Sequence, residues 1–201
     1  MNWKRRALFG PLAAILLVAG VVVLALLVPG YDPIRQTVSE IGEQGSPMQR
    51  AFAVLLSTVA ACLLVFASSI RDASRAGGHS TAAAWFVGIM AVSAAGVGLF
   101  SFPHPLHNVF GLSELIGYQA PLVLAITWRA ERSALVRVSW LMAVLVWVAI
   151  VLNLATLDRQ GALFTWERPF YGLIQRALFL AWFGWCAITG TMLARAPASS
   201  A

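Results

Sequence analysis

Six apolar runs, each about as long as the roughly 20 residues needed to cross a bilayer, leave this 201-residue chain few ways to bury its surface. They cover Ala7–Val28, Ala51–Ile70, Ala82–Phe100, Asn108–Trp128, Val138–Leu157 and Phe170–Ala194, with short polar links between them. In lipid every backbone N–H and C=O must find a partner within the protein, which restricts spanning structure to helices and closed barrels. Runs of this length and continuity are helical. The expected fold class is therefore all-α: a polytopic membrane bundle of six transmembrane helices, one integral membrane domain over residues 1–201. With 60% of residues hydrophobic and 11% charged, little is left for a soluble domain. The formal charge of +6 does not mark a nucleic-acid binder, because the basic residues are not clustered on one soluble element.

They cluster on one side instead. Lys4, Arg5, Arg6, Arg71, Arg75, Arg129, Arg132, Arg137 and Arg195 fall on the side of the N-terminus, against Arg35, Arg50, Arg159, Arg168 and Arg176 on the other. By the positive-inside rule both termini are cytoplasmic. The first run has a basic start, but its apolar stretch exceeds the ~7–15 residues of a signal peptide and ends in Leu-Val-Pro-Gly, so it reads as a retained helix. Pro11 lies in its first turns, where a missing N–H is tolerated.

The longest link follows on the extracytoplasmic side. Asp32-Pro33 is a cap and first-position pair, Gly42 a stop, and Ile34, Val38 and Ile41 recur at spacings of four and three. This predicts a short extracytoplasmic amphipathic helix between the first and second spans, with Arg35, Gln36, Ser39 and Glu40 on its polar side. Such a helix either faces water or lids the bundle and lends it Ser39 or Glu40. Arg50 follows in the first turn of the second span. Ser57 and Ala61, and Ala94 and Gly98, are pairs of small residues four apart that allow close helix approach. His79 falls in a cytoplasmic turn and is expected to be solvated.

Polar residues inside the spans mark the candidate site. From Phe102 to Tyr118 the sequence reads FPHPLHNVFGLSELIGY, placing His104, His107, Gly111, Glu114 and Tyr118 on one helical face. Gln119 and Pro121 follow, the proline predicting a kink. The fifth span is apolar until Asn153 and Thr156, just before Asp158 and Arg159. The sixth opens with Glu167-Arg168-Pro169 and carries Tyr171, Gln175 and Arg176 in its first two turns. Glu114 lies seven residues past His107 and Arg176 seven past Pro169, each about 10 Å below the outer surface. An unpaired charge at that depth is costly. The expectation is a Glu114–Arg176 pair, completed by Asn153, Gln175 and Tyr118.

The combination of Tyr31-Asp32-Pro33, Val38-Ser39-Glu40-Ile41-Gly42, Phe102-Pro103 with His107, and Gly172-Leu173-Ile174-Gln175-Arg176 resembles the bacterial membrane family known as domain of unknown function 998, itself distantly similar to the DRAM-like six-helix proteins. The likeness covers nearly the whole chain. It implies six helices in a bacterial inner membrane and leaves the activity open. Members often carry an acidic residue after the Phe-Pro pair, where this chain has His104.

Three uses of such a site compete. His104 and His107 are spaced to hold zinc with Asp32, Glu40 or Glu114 as a third ligand, as in a metal-assisted hydrolase acting on a lipid-like substrate. Alternatively, the starts of the second, fourth and sixth spans at Pro47, Pro105 and Pro169, with Arg50, Arg168 and Arg176, favour an anionic lipid headgroup or small anion, bound or transported. The third use is a purely structural polar clamp. Serine chemistry has candidates in Ser39 and Ser113, but no histidine is tied to either by the sequence. Membrane lipids are the expected partners, with the eight tryptophans as interfacial anchors. Cys62 and Cys186, mid-span, are expected to stay thiols, and Ala196–Ala201 reads as a tail.

Overall fold

The computed structural model describes residues 2–131, 133–154, 158 and 160–196. Arg132, Thr156, Leu157, Arg159 and tail residues 197–201 lie outside the described residues.

Helices α1 (Trp3–Ala7) and α2 (Phe9–Leu26) form the first span, with Pro11 in the opening turn of α2. The second span is α3 (Gln49–Ala76), the third α4 (Ala82–Leu99). The fourth is α5 (Pro105–Gly117) and α6 (Ala120–Thr127), broken where Pro121 enters the first turn of α6. The fifth is α7 (Ala134–Leu154). The sixth joins α8 (Ala162–Glu167) to α9 (Tyr171–Arg195) through a 3-10 turn at Arg168–Phe170. Among the described residues these six segments are long and apolar enough to cross a membrane, and no strand is present.

The spans pack as a ring. α5 lies on α4, α4 on α3, α3 on α2, α2 on α9 and α9 on α7, and α6 closes the circle against α7. Closure is confined to α6. α5 has no comparable packing against α7 or α9, so the ring stands open over that half. Small residues allow a close approach of α3 and α4: a Cβ on Gly98 would lie 2.9 Å from Cβ of Leu56, and Ala94 is buried as well. Of the other small pair, Ala61 is exposed. Trp182 and Trp185 are wholly buried rather than interfacial, and their indole N–H groups donate to Gly117 O at 3.1 Å and Ser139 Oγ at 2.9 Å. Cys62 and Cys186 are buried free thiols.

At the end that carries both termini, Lys4 Nζ donates to Ala196 O at 2.6 Å, and Arg6 bridges to Ser68 Oγ and Asp72 on α3. His79 is half-buried and partnered rather than free in solvent. Its ring stacks on Trp128 with centroids 4.6 Å apart and its Nε2 meets Glu131, tying the two links at this end together.

The opposite end is capped by the link between α2 and α3. Its helix is shorter than the sequence period suggests, a single 3-10 turn over Val38–Gly42. Val38 and Ile41 are buried beneath it, whereas Ile34 is 48% exposed because residues 33–36 form a separate turn. Asp32 shapes that turn: its Oδ1 accepts from Ile34 N at 2.9 Å and its backbone O from Gln36 N at 2.8 Å. A capping box then opens the 3-10 turn, with Thr37 N and Oγ1 both donating to Glu40 Oε1 at 2.9 Å.

Candidate functional site

The first two turns of α9 hold the cap against the bundle. Gly172 lets the link run close: a Cβ there would meet Pro33 O at 2.6 Å and Ile34 O at 2.9 Å. Leu173 N donates to Ile34 O at 3.2 Å, and Gln175 Oε1 accepts from Val38 N at 2.7 Å. Arg176 donates through Nη1 to Gln36 O and to Gly172 O, both at 2.9 Å, and through Nη2 to the Tyr31 hydroxyl. The same hydroxyl donates to Thr37 O at 2.8 Å. Burial raises the Tyr31 hydroxyl above its ordinary value of 10.0, against the opposing pull of the Arg176 guanidinium.

A second fastening comes from the start of α5. Gln44 N donates to Phe102 O at 2.8 Å, and His107 reaches Ser39. His107 is 7% exposed, with Nδ1 at 2.9 Å from Phe100 O and Nε2 at 3.1 Å from Ser39 Oγ. A carbonyl oxygen only accepts, so Nδ1 carries the hydrogen. In the neutral ring Nε2 is then the acceptor, and the Ser39 hydroxyl donates to it. Phe102 presses edge-on against the imidazole at 5.8 Å and fixes its plane.

Beneath the cap, in the half of the ring left open between α5 and α9, lies a cavity of about 790 Å³. Thr37, Ser39, Glu40, Glu43, His107 and Asn108 give it a polar mouth. Leu17, Phe52, Leu56, Val59, Val97 and Phe179 form apolar walls. Deeper down are Glu114 and Tyr118, with the Tyr118 hydroxyl donating to Glu114 Oε2 at 3.1 Å. Glu114 Oε1 accepts from no described residue. Glu40 is fully engaged, since its Oε2 also takes a hydrogen bond from Gln36 Nε2 at 2.7 Å.

Of the residues singled out in the sequence, Ser39, Glu40, His107, Glu114, Tyr118 and Gln175 line this cavity, and Asp32, Arg50, His104, Asn153 and Arg176 do not. The Glu114–Arg176 pair does not form. The depth estimate treated both side chains as points, but the long arginine reaches outward to the cap carbonyls, while Glu114 finds Tyr118 one turn further in. Asn153 instead donates to Ala149 O at 2.8 Å and across to Ile174 O at 3.4 Å. Arg50 is exposed.

The two histidines do not converge on a metal. His104 Nδ1 accepts from Leu106 N at 3.1 Å as the cap of α5, and both ring nitrogens of His107 are already engaged. Among the described residues no three of His, Cys, Asp and Glu come together as a metal-ion site, so the donor set proposed for zinc is not assembled. Sequence reasoning missed Thr37, Glu43 and Asn108 as lining residues. Only Asn108 carried a signal, its place beside His107.

These features define a polytopic membrane protein whose polar cavity is closed at one end by a fastened link. Residues 11–192 match the family described as protein of unknown function (DUF998), and the chain belongs to it. No curated protein and no solved structure matches it. The four short segments that carried the resemblance meet in space: Tyr31–Pro33 and Val38–Gly42 form the cap, while Phe102 with His107 and the run Gly172–Arg176 fasten it.

Proposed function

We propose that the chain is a ligand-binding protein of the bacterial cytoplasmic membrane, with both termini in the cytoplasm and the cavity open to the extracytoplasmic side. The basic residues support that orientation: Lys4, Arg5, Arg6, Arg71, Arg75, Arg129, Arg137 and Arg195 flank the spans at the end with the termini, against Arg35, Arg50, Arg168 and Arg176 at the capped end. The ligand is an amphiphile. The observation that carries this reading is a cavity of about 790 Å³ with a polar mouth and apolar walls, within the size range of small-molecule sites.

Its charge argues against the anionic headgroup or small anion that the helix starts suggest. Arg50 and Arg168 are exposed and outside the lining, and Arg176 is committed to the cap. Among the described residues the lining holds Glu40, Glu43 and Glu114 and no Lys or Arg. An ionised carboxylate only accepts hydrogen bonds. The Glu43 carboxylate, whose oxygens accept from no described residue, therefore favours an ammonium or hydroxyl-rich headgroup. The Glu114–Tyr118 contact itself clamps no two spans, since both residues lie in one segment.

The test is native mass spectrometry of the full chain released from a neutral detergent. Retention of an amphiphile with a cationic or donor-rich headgroup, lost in Gly111→Leu, is the expected result. Gly111 lines the cavity and a Cβ there meets nothing within 4 Å, so the larger side chain fills the space without displacing backbone. No retained amphiphile, or equal retention by the variant, would overturn the reading.

A further inference from the structure

We propose that Ser39 and His107 form a nucleophile–base dyad that cleaves a carboxylic ester of the amphiphile in the cavity. The inference rests on the binding reading above and adds an activity to it.

The geometry meets the requirements of an activated serine. Ser39 Oγ and His107 Nε2 are 3.1 Å apart, within the range of a nucleophile–base contact. The base is oriented by a third group, the Phe100 carbonyl, which holds the hydrogen on Nδ1 and leaves the Nε2 lone pair on the serine. Both side chains line the cavity, so a bound ester has access to them. Asn108, next to His107 on the same wall, brings an amide donor with no partner among the described residues, suited to the charge that develops on a carbonyl oxygen. Apolar walls at Phe52, Leu56 and Val59 take the acyl chain below the reacting carbonyl.

The chemistry balances without a metal or an oxidant. Ser39 Oγ attacks the ester carbonyl carbon while its proton passes to His107 Nε2. The tetrahedral adduct collapses, the C–O bond to the alcohol breaks, and the alcohol leaves with the proton from His107. Water then attacks the acyl-serine, giving its proton to His107. The C–O bond to Ser39 breaks, Oγ recovers that proton, and the carboxylic acid departs.

A purely structural Ser39–His107 contact would fasten the cap equally well, so the test must read nucleophilicity. The full chain in detergent is treated with an alkyl fluorophosphonate, which forms a covalent adduct only with activated hydroxyls. The expected result is one adduct on the peptide containing Ser39, absent in Ser39→Ala and formed at least about 100-fold more slowly in His107→Gln. Glutamine can keep a hydrogen bond to Ser39 but cannot take its proton. No adduct on wild type, an adduct elsewhere, or an unchanged rate in His107→Gln would overturn the dyad. Peptide mapping of wild type alone decides the matter if a variant does not fold. The wild type separates the two proposals. If Ser39 is labelled while no amphiphile is retained, the dyad stands and the cavity reading falls; retention that is lost in Gly111→Leu, with no label on wild-type Ser39, gives the reverse.

Discussion

Arg176 and Tyr31 meet at the capped end of the bundle although 145 residues separate them in sequence, and the guanidinium that joins them also holds the backbone carbonyls of Gln36 and Gly172. A planar fork serves these three acceptors in fixed directions, which a lysine ammonium on a flexible stem does not. Arg176→Lys is therefore expected to destabilise the cap by about 1.5–3 kcal/mol, the range for hydrogen bonds to a charged group. Amide hydrogen exchange should show residues 31–42 opening first, with α7 unaffected. Uniform exchange across the chain would contradict this.

The Tyr31 hydroxyl gives the same cap a pH dependence. Its folded value lies above the ordinary 10.0, chiefly through burial, so the folded state holds the proton more tightly than the unfolded chain. The resulting stabilisation is complete below pH 10 and is lost as pH rises through the folded value. Thermal unfolding between pH 8 and about 11 should show the wild type falling at the alkaline end more steeply than Tyr31→Phe. Parallel curves would remove Tyr31 as the source.

Glu114 and Arg176 share no hydrogen-bond partner. Groups that are not coupled lose stability additively, within ~0.3–0.5 kcal/mol. Glu114→Gln and Arg176→Met combined should cost the sum of the single changes in a detergent unfolding titration. A double variant markedly more stable than that sum would restore the ion pair that the sequence suggested.

Six spans, the break at Pro121 and a short helical turn in the link between the first two spans were legible, because length, hydropathy and proline chemistry act locally, whereas the sequence left open whether that turn faces water or caps the bundle. Contacts between distant segments were not legible. His107 and Ser39 were both identified as polar residues in suitable places, yet nothing in a sequence says that residues 68 apart share a hydrogen bond. The Glu114–Arg176 expectation failed for a related reason. Axial depth follows from residue count, but the direction a long side chain takes is set by where acceptors lie, and the cap carbonyls that attract Arg176 exist only after the link folds back onto α9.

Gly172 is where that folding back is most constrained. A methyl group at this position would lie 2.6 Å from Pro33 O and 2.9 Å from Ile34 O, backbone atoms that cannot swing aside as a flexible side chain can. Gly172→Ala should therefore push the link off α9, lengthening the Val38–Gln175 hydrogen bond and carrying Ser39 away from His107. The rest of the bundle has no reason to change. The variant should keep its helical circular dichroism while residues 31–42 exchange faster and the alkyl fluorophosphonate adduct on Ser39 forms more slowly than in wild type. Wild-type exchange in that segment would mean that the link tolerates the methyl group and that the close approach to α9 is not what holds the cap in place.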